Sequence, residues 1–104
     1  MPAAVLFTTV PDARTARKIA EGLISARLAA CVNVLDKASS FYRWKGRLER
    51  SGESLLIIKT LKRNFRGIQK YLDTAHPYEL PELIALPVLW GPKEYLTWVE
   101  KSVK

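Results

Sequence analysis

Two rhythms of apolar and polar residues alternate along the chain. Ala3, Ala4, Val5, Leu6 and Phe7 are apolar without interruption and lead into Thr8, Thr9 and Val10, a β-branched ending that predicts a strand over 3–10. Ala16, Ile19, Ala20, Leu23 and Ile24 then recur at helical spacing, with Arg14, Arg17, Lys18, Glu21 and Ser25 on the opposite side. Pro11 and Asp12 supply the fixed φ and the capping carboxylate of that helix start. A second strand is expected over 28–35, running through 36–40 into 41–44. Lys45, Gly46 and Arg47 turn the chain, and 54–60 returns as a third strand, which makes a long hairpin. Leu61, Phe65, Ile68 and Leu72 mark a second helix over 61–75. The stretch 76–82 leads to a fourth strand over 83–90, and Gly91-Pro92 opens a third helix.

The predicted order is β-α-β-β-α-β with a terminal helix, an α+β domain spanning 1–104. Right-handed crossovers place both main helices on one face of a single antiparallel sheet. A sheet with its other face in water alternates apolar with polar side chains. These strands do not alternate: Leu55, Leu56, Ile57 and Ile58 are apolar on both sides, as are Leu83, Ile84, Ala85 and Leu86. Each strand would otherwise expose two or three aliphatic side chains, at roughly 1.5–3 kcal/mol apiece. The short third helix cannot cover them alone, so self-association is expected. Pro87 lacks a ladder donor, which puts a bulge there or places the last strand at an edge.

Composition narrows the class. At 104 residues and 48% hydrophobic, the chain builds one packed domain. The longest uncharged stretch, 1–11, is far short of the roughly 18–20 residues of a membrane span, and it reads as a strand rather than a secretory leader. Cys31 is the only cysteine, which excludes an intrachain disulfide and suits a reducing cytosol, so a cytoplasmic protein is expected. The net charge of +7 invites acidic partners. Its cations are nevertheless spread over the polar sides of two helices and around the hairpin tip, at Arg43, Lys45, Arg47 and Arg50, so a solvated basic surface is expected rather than nucleic-acid binding.

Candidate chemistry gathers in HPYELPE, residues 76–82. Pro77 ends the helix, and His76 suits a C-terminal cap, where the dipole favours imidazolium by about 0.3–1 kcal/mol. In an extended segment His76, Tyr78, Leu80 and Glu82 share one side and Glu79 takes the other. One histidine and a carboxylate are too few for a tight zinc or copper site within one chain. As base and acid of a hydrolase, His76 and Glu79 lack a nucleophile, so no enzymatic activity is expected. Cys31 reads as a small apolar-like strand residue with no base beside it in sequence. Lys59 closes an aliphatic run and either snorkels or needs a partner, for which Glu79 and Tyr78 are the candidates. Tyr95 and Trp98, three apart on the last helix, share a face and complete an aromatic set with Trp44.

The segments RLAACVNV, SFYRWKGRLE, LLIIKT, HPYELPELIALPV and YLTWV, in this order between Val5 and Val99, resemble the signature segments of the CutA family, the divalent-cation tolerance proteins. The resemblance implies a ferredoxin-like fold similar to the PII signalling proteins and a tight homotrimer packed around a three-fold axis. It implies association with copper or other divalent cations, a role in metal ion tolerance or signalling, and no enzymatic activity. A ligand cleft between subunits would be lined by Cys31, Trp44, Lys59, Tyr78, Glu79, Tyr95 and Trp98, with His76 and Glu79 as metal ligands. Copper-associated members carry a thiol at the place of Thr8 and a second histidine at that of Ala75, and this chain departs from the pattern at both. An RNA-binding module of the same element order is the alternative. Such modules stack bases on sheet aromatics, whereas the third strand here reads SLLIIKT.

Overall fold

The computed structural model describes residues 2–104. Its elements are β1 (Ala3–Val10), α1 (Ala13–Ser25), β2 (Cys31–Trp44), β3 (Arg47–Leu61), α2 (Phe65–Ala75), β4 (Ile84–Pro87) and α3 (Lys93–Ser102), with a 3₁₀ turn at Lys62–Asn64. The four strands form one antiparallel sheet in the order β2-β3-β1-β4. Alternation along the two central strands sorts their side chains. Ala4, Leu6, Thr8 and Val10 of β1 and Ser54, Leu56, Ile58 and Thr60 of β3 are buried on the helix-covered face. Ile19 and Leu23 of α1 and Ile68 and Leu72 of α2 close that core. The two helices approach closely where Gly22 meets Tyr71, since a Cβ at Gly22 would collide with the phenol hydroxyl.

The opposite face is only partly covered. Val99 and Val103 at the end of α3 pack on Ala3 and Leu61, beside Ala30, Val88 and Leu96. Beyond that small cluster Val5 and Phe7 of β1, Leu55 and Ile57 of β3 and Ile84 and Leu86 of β4 line an open face. β4 lies at the edge of the sheet, the position Pro87 favours. Ile84 and Leu86 are 55% and 53% exposed, and just beyond the strand Leu89 and Trp90 reach 98% and 78%.

The main boundary differences from the sequence expectation each have a local reason. β3 begins at Arg47 rather than at residue 54, because 47–53 pair with Ala38–Trp44 up to the hairpin tip. β2 begins at Cys31 rather than at residue 28, because 26–28 close α1. Arg27 sits at φ 57° and donates its N–H to Ile24 O, while Leu28 N–H reaches back to Leu23 O. That is the Schellman ending, formed here without glycine. The second helix begins at Phe65 rather than at residue 61, since Leu61 belongs to β3 and points at α3. β4 ends at Pro87 rather than at residue 90, because proline cannot extend the ladder, and Val88 N–H bonds Ala3 O as the chain leaves.

The β2–β3 hairpin is the longest feature of a molecule measuring 45 × 25 × 22 Å. Its two-residue turn, Lys45 at φ 52° and Gly46 at φ 77°, has the positive φ pair of a type I′ turn. Trp44 stands opposite Arg47 at the tip, and Ala38 opposite Glu53 lower down. Between Ala38 and Leu35 the register shifts at a bulge, where Asp36 and Lys37 face Ser54 alone. Lys37 takes φ 64°, and the Ser54 hydroxyl donates to Asp36 Oδ1 at 3.0 Å.

Candidate functional site

Two polar arrangements stand out, one at each end of the sheet's central strands. The first is built by residues 76–82. His76 is the C-cap of α2 and its N–H bonds Leu72 O. Pro77 prevents another turn, so the chain bends toward the end of β1. His76, 6% exposed, is held through both ring nitrogens: Nδ1 accepts from Tyr78 N–H at 3.2 Å and Nε2 lies 2.9 Å from Thr9 O. A carbonyl only accepts, so this pairing selects the neutral tautomer with the proton on Nε2. The rings of His76 and Tyr78 lie 5.0 Å apart. Tyr78 in turn donates its hydroxyl to Glu53 Oε2 at 2.6 Å. Burial pushes the phenol pKa well above its usual range, and the hydrogen bond to Glu53 and the charge of that carboxylate push it the same way.

The second arrangement lies on the open face. Cys31 stands directly opposite Lys59 across the β2–β3 ladder. Lys59 Nζ donates to Asn33 Oδ1 at 2.6 Å, and Cys31 Sγ lies 3.8 Å from the same oxygen. Within one chain the partner of Lys59 is therefore Asn33, two residues from Cys31 on the neighbouring strand, rather than Glu79 or Tyr78. Tyr78 is engaged by Glu53, six residues away along β3 and roughly 20 Å distant.

Within one chain the remaining expected cleft residues stand apart. Trp44 is at the hairpin tip under the Lys45 ammonium, 5.9 Å from the ring centroid, some thirteen residues and about 40 Å along β2 from Cys31. Tyr95 and Trp98 pair on α3 with ring centroids 5.7 Å apart, and both are exposed. Glu79 lines a groove of about 510 Å³ between α2 and β4, together with Arg66, Gln69 and Asp73 over an apolar floor that includes Leu6 and Leu72. Glu53 and Asn33 are the polar residues that sequence reasoning passed over. Nothing marks Glu53 in the run SGESLL, whereas Asn33 interrupts an otherwise apolar strand and signals a polar contact.

A divalent cation does not fit these groups as one chain arranges them. Both nitrogens of His76 are committed, and among the described residues no three His, Cys, Asp or Glu side chains gather as a ligand set.

Residues 4–102 match the sequence profile of the CutA1 divalent ion tolerance protein family. The chain belongs to this family. The CutA divalent-cation tolerance protein of Thermus thermophilus is 41% identical over 98 residues, which are 94% of this chain and 95% of that protein. The CutA homologue of Xenopus laevis is 44% identical over 93 residues, 89% of this chain but 62% of its own length. A chloroplastic CutA of Arabidopsis thaliana is 36% identical over the whole chain, which spans 57% of that protein. Among solved structures, CutA1 from Oryza sativa superposes with a TM-score of 0.97 at 36% identity, covering 100% of this chain and 95% of its own. The Thermus thermophilus protein superposes at 0.96 with 39% identity, covering 98% and 99%. The CutA fold expected from the signature segments is thus present from β1 to α3. Relatives in this family are named for divalent-cation tolerance and not for an enzymatic reaction.

Proposed function

We propose that this CutA family member works as a homotrimer that takes up a divalent cation, copper among them, or a small ligand at the seams between its copies. Its role is in cytoplasmic divalent metal ion tolerance or PII-like signalling. The observation that carries the reading is the open sheet face. Val5, Phe7, Leu55, Ile57, Ile84 and Leu86 form an apolar surface beside an unpaired edge strand, with Leu89 and Trp90 next to it almost wholly exposed. Leaving such a face and edge in water is costly and invites association. Three copies that cover it would also bring together groups that one chain holds apart, among them Lys59 with Cys31, the 76–82 segment, and the aromatics Trp44, Tyr95 and Trp98. Family membership supports the divalent-cation part of the reading.

The same face argues against the RNA-binding alternative, because β3 offers Leu55 and Ile57 where base stacking needs aromatic rings and Phe7 is the single ring that the two central strands place there between Ala3 and Val10 and between Leu55 and Leu61. Sedimentation of the full chain tests the assembly. Copper titration of the assembled protein by calorimetry tests the cation: saturable binding is expected, and its absence would remove the cation from the reading.

A further inference from the structure

Among the apolar residues Val5, Phe7, Leu55, Ile57, Ile84 and Leu86 of the open face stands one cation, Lys59. In register across the ladders, Lys59 has Val5 on one side and Cys31 on the other. Its same-face neighbours along β3 are Ile57 and Leu61. None of these four carries negative charge. Glu53, on the same side of β3, is roughly 20 Å away and holds the Tyr78 hydroxyl. The contacts Lys59 does make consume acceptors only. Asn33 Oδ1 receives the ammonium at 2.6 Å and faces the Cys31 thiol at 3.8 Å. One of three ammonium hydrogens is satisfied in this way, and by a neutral group. With Oδ1 taken, what Asn33 has left is its NH₂, a double donor. The cluster therefore presents hydrogen-bond donors and one full positive charge.

We infer that Lys59 and Asn33, beside Cys31, form a recognition site for a small free oxyanion, a carboxylate or phosphate. The step deepens the proposed function and rests on it. Once other copies cover the open face, the ammonium is withdrawn from water, and the neutral amide oxygen that its own chain supplies does not compensate a buried charge. An oxyanion accepts from the ammonium and from the Asn33 amide together, in charge-assisted hydrogen bonds. The same charge repels a bare divalent cation. A metal ion therefore enters this part of the seam bound to an anionic chelator, not alone.

Calorimetric titration of the full chain with citrate, and separately with inorganic phosphate, tests the inference. Sedimentation of the same samples accompanies it. Saturable binding of either anion is expected, weakened at least tenfold in Lys59→Met and in Lys59→Gln and kept within a few-fold in Lys59→Arg. Arg17→Ala, which removes an exposed helix cation, should bind as the parent does. Two substitutions at Lys59 guard against a single misfolded variant. A parent protein that assembles yet binds neither anion overturns the inference alone, as does equal binding by Lys59→Met or a loss equally large in Arg17→Ala. A parent that stays a folded single chain overturns both the inference and the reading beneath it.

Discussion

Cys31 stands opposite Lys59, although the turn at the hairpin tip, counted down from Trp44 opposite Arg47, would set Cys31 against Thr60. The difference is one residue, and the bulge at Asp36-Lys37 supplies it. A shift of one residue turns every side chain below it to the other face. Without the bulge Cys31 and Asn33 would point into the helix-covered core, where Thr60 is buried and donates to Leu28 O. The bulge thus assembles the polar cluster of the open face.

Lys37 holds this bulge in a left-handed conformation, φ 64°, that a Cβ disfavours. Lys37→Gly should stabilise the fold by about 1 kcal/mol, measured as a higher urea midpoint at unchanged m-value. A destabilised variant would mean that the lysine side chain contributes more than its backbone costs.

Tyr78 and Glu53 form the only hydrogen bond seen between the 76–82 segment's side chains and β3, among the described residues. Removing the hydroxyl leaves a largely buried carboxylate, 7% exposed, without that donor. Tyr78→Phe should therefore cost about 1.5–3 kcal/mol in chemical denaturation. The phenol pKa is raised in the folded state, so the stabilisation is complete below the unfolded value of 10.0 and falls as pH rises past it. An alkaline unfolding profile identical in the parent and Tyr78→Phe would contradict this.

Thr8 Oγ1 is buried on the helix-covered face and finds no partner among the described residues. Valine keeps the shape and removes the orphaned group. Thr8→Val should raise stability by about 1 kcal/mol, seen as an increase in Tm, and a loss of stability would show that the hydroxyl is satisfied in solution.

Asp12 caps α1 by accepting from Thr15 N–H at 2.8 Å, and that backbone hydrogen bond, with the Thr15 side chain assisting, holds its carboxyl below the ordinary 3.8. A depressed folded pKa stabilises above the unfolded value and is lost as pH falls through the folded one. The parent should lose stability relative to Asp12→Ala as pH drops from 5 to about 2, followed by thermal melts. A constant difference across that range would remove the cap from the account.

Much of this architecture is legible in the order of residues. The unbroken apolar runs of β1 and β3, the helical spacing from Ala16 to Ile24 and from Phe65 to Leu72, and the Lys45-Gly46 turn predict the element order and the doubly apolar sheet. What stays illegible has particular causes. Arg27 closes α1 in a conformation usually taken by glycine, so the extended-looking residues after it read as strand. The bulge depends on φ at Lys37, which carries no compositional mark, and with it the register that sets Lys59 opposite Cys31 and within reach of Asn33 is hidden. Glu53 meets Tyr78 across a sequence gap that no local pattern spans.

The most direct test of the central claim is the mass of the folded particle by sedimentation equilibrium at micromolar concentration. Three times the 11.8 kDa chain mass is predicted, because the open face and the β4 edge need cover from other copies. A stably folded, compact particle of 11.8 kDa would contradict it.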